Sequence, residues 1–261
     1  MNIDTQDLID IVKECNNLLL KYRNTNLSKD IKNDGSEVTK ADIEINEILQ
    51  NYLKDKYPEC GIVSEELEKE WKEYTWHIDP LNGTKAYLNG KDSFNILIGL
   101  VQKNKPIFGL ISHPVYNKIY IGGIDEKPRV IEGNNEIPLF KSKNLKENLL
   151  FTPSENWENV FTELFKKNPE YILVHTDELG NEFKDPRIHI LDGGINLQIN
   201  SNFGAWGTWD ICAGHAILSY LGGVMTDYYG NDIDYSKPML DNGFIASDTL
   251  ERISKLPWIK K

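Results

Sequence analysis

The chain has 261 residues, 40% hydrophobic and 26% charged, with a net charge of −11. That is ordinary globular composition, long enough for one large domain or two fused halves with a full core. The acidic balance argues against a grip on a nucleic-acid polymer through a basic face, but not against a small phosphorylated substrate, because cations held by carboxylates reverse the local field.

Leu8, Ile11, Val12, Cys15, Leu18 and Leu19 recur at three- and four-residue steps, so Thr5 to Tyr22 is predicted as an amphipathic helix packed on a core. A polar loop runs from Asn24 to Ser36, with a turn at Asp34-Gly35. A second helix carries Ile45, Ile48, Leu49 and Leu53, and Thr39 is placed to cap it, leaving Asp42 in its first turn. Gly61 to Glu66 reads as a short buried strand ending in two carboxylates, which are costly to hold together unless something positive lies between them. The alternative is a solvated acidic loop, since Glu68, Glu70 and Glu73 continue the run. For Glu65 the functional reading is preferred, because Asp79 follows only fourteen positions later and two adjacent strands would bring both carboxylates to one edge.

Trp76-His77-Ile78 leads into Asp79, and Pro80 removes a ladder donor, so this carboxylate is expected at a strand end where the chain turns. Gly83 and Thr84 then open a short helix through Leu88, closed by Asn89-Gly90. A helix start offers free N–H groups and the positive end of a dipole, which suits an anion. An anion beside an aspartate needs a cation between them. The stretch therefore reads as a metal-bridged phosphate site, with Asp79 as ligand and the Gly83 and Thr84 amides as cradle. The alternative is an ordinary strand–turn–helix junction in which Asp79 and Asn82 cap the helix.

Phe94 to Val101, Ile107 to Ser112 and Lys118 to Ile121 read as antiparallel strands of a meander, and Pro128 to Leu139 adds further short strands. Composition turns polar near Lys141 to Asn148. A boundary there gives an N-terminal α+β half over 1–145 and a C-terminal α/β half over 146–261. The second half alternates a strand at Leu149 to Thr152, a helix from about Trp157 to Lys167, and strands at Tyr171 to Val174 and Ile188 to Leu191. A glycine and aromatic loop at Phe203 to Gly207 precedes a helix that begins at Trp209-Asp210 and ends at Gly222-Gly223. In its first turn Asp210 is either a cap and dipole partner or a ligand.

The five histidines are scattered without HExxH, and neither GxSxG nor GxxxxGK[ST] is present, which disfavours zinc, serine-hydrolase and triphosphatase chemistry. Cys15, Cys60 and Cys212 lack any CxxC spacing, as in a reduced chain without a disulfide frame. No window approaches the ~18 apolar residues of a membrane span, and the acidic, polar start is unlike a secretory signal. A cytoplasmic protein without membrane contact is expected.

Val38-Thr39 with Asp42, Ser64-Glu65-Glu66, Asp79-Pro80-Leu81-Asn82-Gly83-Thr84 and Trp209-Asp210-Ile211-Cys212-Ala213-Gly214 together resemble the inositol monophosphatase superfamily of magnesium-dependent, lithium-sensitive phosphatases. Within it, Lys32 to Asp42, the short interval from Glu66 to Asp79 and Lys85 after the threonine look like the 3′(2′),5′-bisphosphate nucleotidase branch. The resemblance implies an α/β fold, a layered α-β-α-β-α sandwich of the inositol monophosphatase and fructose-1,6-bisphosphatase type. It implies hydrolysis of a small phosphorylated metabolite with two or three magnesium ions, by a monomer or a homodimer. Glu65, Asp79 and the backbone carbonyl of Leu81 would bind the first ion; Asp79, Asn82 and Asp210 would bind the second. Thr84, paired with Asp42, would orient and help deprotonate the metal-activated water, with Glu65 part of the same catalytic centre. The Gly83 and Thr84 amides would hold the phosphate, with Asp210 bordering the substrate. Magnesium suits such a set, being a hard ion that prefers carboxylates, carbonyls and water.

Two departures matter. Asn82 stands where the family's fingerprint has a second aspartate, and an amide oxygen brings no charge, so the second ion should be held more weakly. That leaves an enzyme with a tuned second site, a paralogue that binds phosphate esters without turning them over, or a substitution that traps a ligand. Over Glu182 to Asn200 the nucleotidase branch's Gly-Ser-Ser is missing, and Asn200 stands near where its arginine would fall. The leaving alcohol is therefore open among nucleotide, sugar and polyol. A bisphosphate nucleotidase is favoured, an inositol or sugar phosphatase is the alternative, and a catalytically impaired binder is the rival from another class.

Overall fold

The computed structural model describes residues 1–23, 29–31, 37–66, 69–142, 148–152, 162, 164, 166, 169–174, 185–201 and 204–259. The polar loop at 24–36, the helix expected near 157–167 and Phe203 lie wholly or largely outside them.

The two apolar stripes form helices α1 (Thr5–Arg23) and α2 (Lys40–Lys56). An antiparallel pair, β1 (Lys29–Ile31) and β2 (Glu37–Thr39), joins them. Leu8, Val12 and Leu19 of α1 and Ile45, Leu49 and Leu53 of α2 are fully buried against one face of a seven-stranded sheet. Its strands lie side by side in chain order: β3 (Gly61–Ser64), β4 (Tyr74–Asn82), β5 (Asn95–Gln102), β6 (Lys105–His113), β7 (Lys118–Gly123), β8 (Arg129–Glu132) and β9 (Asn135–Pro138). The short helix α3 (Thr84–Leu88) leaves β4. Neighbours are antiparallel except β3 and β4, which run parallel with Ser64 opposite Ile78. Two parallel strands end at the same edge, so Glu65 and Asp79 emerge together, as the spacing predicts.

A second sheet contains β10 (Asn148–Thr152), β11 (Ile172–Val174), β12 (Leu197–Asn200), β13 (Val224–Asp227) and β14 (Phe244–Ser247) in the order β11-β10-β12-β14-β13. Helices α4 (Pro186–Asp192) and α5 (Thr208–Tyr220) fill the space between the sheets. Ile188, Ile211 and Ile217 pack there with Leu97 and Ile111 of the first sheet and Phe244 and Ala246 of the second. Helix α6 (Leu250–Ser254) covers the far face, with Ile253 against Leu197, Ile199 and Ile245. The layers run α-β-α-β-α. Helix α5 lies so close to the first sheet that a Cβ at Gly109 would fall 2.1 Å from the Ala213 carbonyl oxygen. That approach seats the first turn of α5 against β4.

Two expectations are corrected. Ile188 to Leu191 belongs to a helix, because Asp185 accepts the Arg187 N–H at 2.9 Å as N-cap, Pro186 pre-sets the first turn and Gly193 ends it at φ 81°. Strand β4 does not stop at Pro80. Pairing is regular from Tyr74 opposite Gln102 to Asp79 opposite Leu97, then shifts before Asn82 meets Asn95, and this irregularity absorbs the proline. Among the described residues no helix is long and apolar enough to cross a membrane.

Candidate metal and phosphate site

Asp79 leaves the regular part of β4 almost fully buried, at 1% exposure. Its Oδ1 accepts the Leu81 N–H at 3.1 Å, while among the described residues nothing donates to Oδ2. Burial, followed by the charges of Glu65 and Asp210, pushes its pKa well above the ordinary carboxylate range. Asp210 arrives from the first turn of α5, where its Oδ2 accepts the Gly207 N–H at 2.6 Å. Burial, and then the charge of Glu65, raises its pKa from 3.8 to about 7. Carboxylates from three segments thus border one cleft at mutual electrostatic cost, without forming, as they stand, a ready-made acidic cage for an ion among the described residues. A cation drawn between them would remove that cost. An all-oxygen donor set fits a hard ion such as magnesium, manganese or calcium rather than zinc.

Asp42 stands behind this group. Thr39 caps α2, and its N–H and Oγ1 both donate to Asp42 Oδ2, at 2.8 and 2.5 Å. The other oxygen, Oδ1, lies 3.2 Å from Thr84 Oγ1, which is also 3.0 Å from the Leu81 carbonyl oxygen. One hydroxyl proton serves only one of these acceptors at a time. Burial raises the Asp42 pKa against the opposing bonds from Thr39 and Thr84.

Between them, Gly83 caps α3 at φ 88°, and a Cβ there would meet the Ser93 carbonyl oxygen at 2.6 Å. With five residues α3 has little dipole, so its capacity for an anion lies in its first N–H groups, which have no intrahelical acceptor. Asn82 donates through Nδ2 to Asn95 Oδ1 at 3.0 Å, which leaves its own carbonyl oxygen as an acceptor. Asn95 is fully buried and its Nδ2 has no partner.

Glu65, Asp79, Leu81, Asn82, Gly83, Thr84 and Asp210 all border one cleft of about 400 Å³. Asp42 does not border the cleft and connects to it through its bond with Thr84. Residues 4–258 match the inositol monophosphatase family. The chain belongs to that family. It is a phosphomonoesterase of a divalent-metal-dependent class whose members act on small phosphorylated substrates.

Among relatives, the 3′(2′),5′-bisphosphate nucleotidase CysQ of Shigella flexneri is 27% identical over 224 residues, covering 83% of this chain and 87% of that one. A staphylococcal inositol monophosphatase solved with its products has the same fold, with a TM-score of 0.76 at 20% identity over 98% of this chain and 96% of that one. An IMPase/NADP phosphatase solved with Mg2+ and phosphate gives 0.75 at 20% identity, over 97% and 94%.

This family member also carries wall and support residues that sequence reasoning missed. Lys69, hidden in the acidic run after Glu65, borders the cleft with Trp209 and Met239. Behind Asp210, Arg187 pairs with Asp185 at 2.7 Å and donates to the Asp210 carbonyl oxygen at 2.7 Å. The signal for this support was present in Asp185-Pro186, a cap and first-turn pair. Asn200, standing near where the nucleotidase branch's substrate arginine would fall, is fully buried in β12 and does not border the cleft.

Proposed function

We propose that the protein hydrolyses a 3′(2′),5′-bisphosphate nucleotide, releasing inorganic phosphate with the help of magnesium bound at this cleft. The observation that carries the proposal is the convergence of Glu65, Asp79 and Asp210, with the unpartnered Asp79 Oδ2, beside a Thr84 hydroxyl bonded to a buried aspartate. Support for the substrate is the similarity to bisphosphate nucleotidases.

Glu65, Asp79 and the Leu81 carbonyl would hold one ion; Asp79, Asp210 and the Asn82 amide oxygen would hold a second, less tightly because the amide is neutral. Ions held there would supply acidification of the attacking water and neutralisation of charge on the leaving oxygen. Thr84 Oγ1 accepts a proton from that water as it passes its own to Asp42 Oδ1, and the raised proton affinity of Asp42 suits it to receive it. The Leu81 carbonyl is the alternative acceptor of that same hydroxyl proton, so the relay runs from the rotamer that donates to Asp42 Oδ1. N–H groups of Gly83 and Thr84 hold oxygens of the reacting phosphate.

The test is phosphate release from adenosine 3′,5′-bisphosphate, inositol 1-phosphate, fructose 1,6-bisphosphate and several sugar phosphates across a magnesium titration. The nucleotide should stand out, and release should vanish with chelator. A second reading, a phosphate-ester binder without turnover, rests on Asn82. Silence of the wild type alongside activity of Asn82→Asp would favour that reading.

A further inference from the structure

Lys69 is the one cationic side chain among the described residues that border the cleft. Its ammonium lies 5.0 Å from the centre of the Trp209 ring, and Trp209 precedes Asp210 on the first turn of α5. Two neighbouring acids along the chain are engaged elsewhere, Glu70 with Lys72 at 3.2 Å and Glu73 with Lys103 at 3.4 Å. No ion pair among the described residues involves Lys69, although three carboxylates share its cleft.

A positive charge at the rim of a cation site repels the ions the site is built to hold. Its presence makes chemical sense when an anion lies against it. On the proposed reading of the cleft, the reacting phosphate would have its own partners in the Gly83 and Thr84 N–H groups and the ions held by the carboxylates. What remains for Lys69 is a different anion on the same substrate. The cation–π contact restrains the long side chain, so less rotamer freedom is lost when it meets that anion. Ala205, Gly207 and Met239 complete an uncharged stretch of wall on which the body of a ligand between two phosphates would rest. A volume of about 400 Å³ lies in the range of sites that enclose a small organic ligand.

We propose that Lys69, held over Trp209, is a specificity-determining residue that receives the second, non-reacting phosphate of a bisphosphorylated substrate. This rests on the phosphomonoesterase reading of the cleft and deepens it by assigning the residue that separates bisphosphates from monophosphates.

Lys69→Met keeps the stem and removes the charge; Lys69→Arg keeps the charge. Binding of adenosine 3′,5′-bisphosphate and adenosine 3′-monophosphate is measured by calorimetry with Ca2+, and turnover of both with Mg2+. The wild type should prefer the bisphosphate. Lys69→Met should cut that preference roughly ten- to hundred-fold, through Kd and KM rather than kcat, as expected for loss of one charge-assisted bond to phosphate. Lys69→Arg should restore most of it. Equal weakening of both ligands, or an unchanged preference, overturns the proposal while leaving the phosphatase reading intact. If the wild type handles neither nucleotide, the nucleotide reading fails, and fructose 1,6-bisphosphate against fructose 1-phosphate decides the role of Lys69 by the same ratio. Failure of the wild type to bind or hydrolyse any of these esters overturns both.

Discussion

Replacing Asp210 by asparagine should stabilise the cation-free protein and weaken its response to magnesium. Burial and the charge of Glu65 raise the Asp210 pKa from 3.8 to about 7. A group whose folded pKa exceeds its unfolded value contributes stability in full below the unfolded pKa and loses it as pH rises through the folded pKa. The wild type therefore carries this burden progressively from about pH 4 to pH 7 and fully above that. At about 1.4 kcal/mol per pH unit, the rise from 3.8 to about 7 sets a ceiling of about 4 kcal/mol. Asp210 borders an open cleft, so screening reduces this to roughly 1–3 kcal/mol. Asparagine can still accept the Gly207 N–H through its amide oxygen, so the cap of α5 is kept. The assay is urea unfolding of both proteins from pH 5 to 8.5, with EDTA and with excess magnesium. His77 and His215, held neutral by burial with pKa values near 3 and 4, tilt both curves the other way below their unfolded value of about 6.5. The difference between the two proteins is therefore the quantity to read. It should favour the variant by about 1–3 kcal/mol at pH 8 with EDTA, shrink towards pH 5, and shrink or reverse with magnesium, by the mass-action effect of a second ion that the folded wild type binds more tightly than the variant. A variant less stable than wild type at pH 8 with EDTA would refute the claim that these carboxylates converge at a cost relieved by a cation.

Thr84→Val removes the hydroxyl that bridges Asp42 and the Leu81 carbonyl at nearly constant shape; kcat should fall about 10²–10³-fold with little change in KM, and Thr84→Ser should recover most of it. Gly83→Ala puts a Cβ at φ 88° and 2.6 Å from the Ser93 carbonyl oxygen, so urea unfolding should register a loss of about 2–4 kcal/mol, and a loss below ~1 would show that the turn relaxes. Asn82→Asp adds a charge beside Asp79 and Asp210, and a carboxylate there offers an acceptor to the unpartnered Asn95 Nδ2. Its magnesium midpoint, followed by thermal shift, should move to roughly ten-fold lower concentration, whereas an unchanged midpoint would mean that position 82 does not face a cation.

The site was legible where local chemistry and strand order agree. Thr39 and Asp42 form the capping box that their three-residue spacing predicts, and this box fixes the carboxylate that Thr84 reaches. Glu65 and Asp79 meet because β3 and β4 are parallel neighbours, an arrangement that two carboxylate-ending strands fourteen residues apart already suggest. Asp210 was ambiguous for a physical reason: it is both cap and cleft residue, and one sequence position cannot distinguish the two uses. Ile188 to Leu191 misled because a four-residue apolar run fits a buried strand as well as a buried helix turn; the decisive signals, Asp185-Pro186 before it and Gly193 after it, lie outside the run. Lys69 was hidden because the ring it lies over, Trp209, is 140 positions away, and the acids around it read as a solvated loop.

The most direct test of the central claim is anomalous diffraction from crystals grown with Mn2+ and inorganic phosphate. A peak bounded by Glu65, Asp79 and the Leu81 carbonyl is expected, with a second, weaker peak by Asp210 and Asn82 and phosphate at the Gly83 and Thr84 N–H groups. A cleft without an anomalous peak at millimolar Mn2+, or a metal bound away from Asp79, would contradict the account.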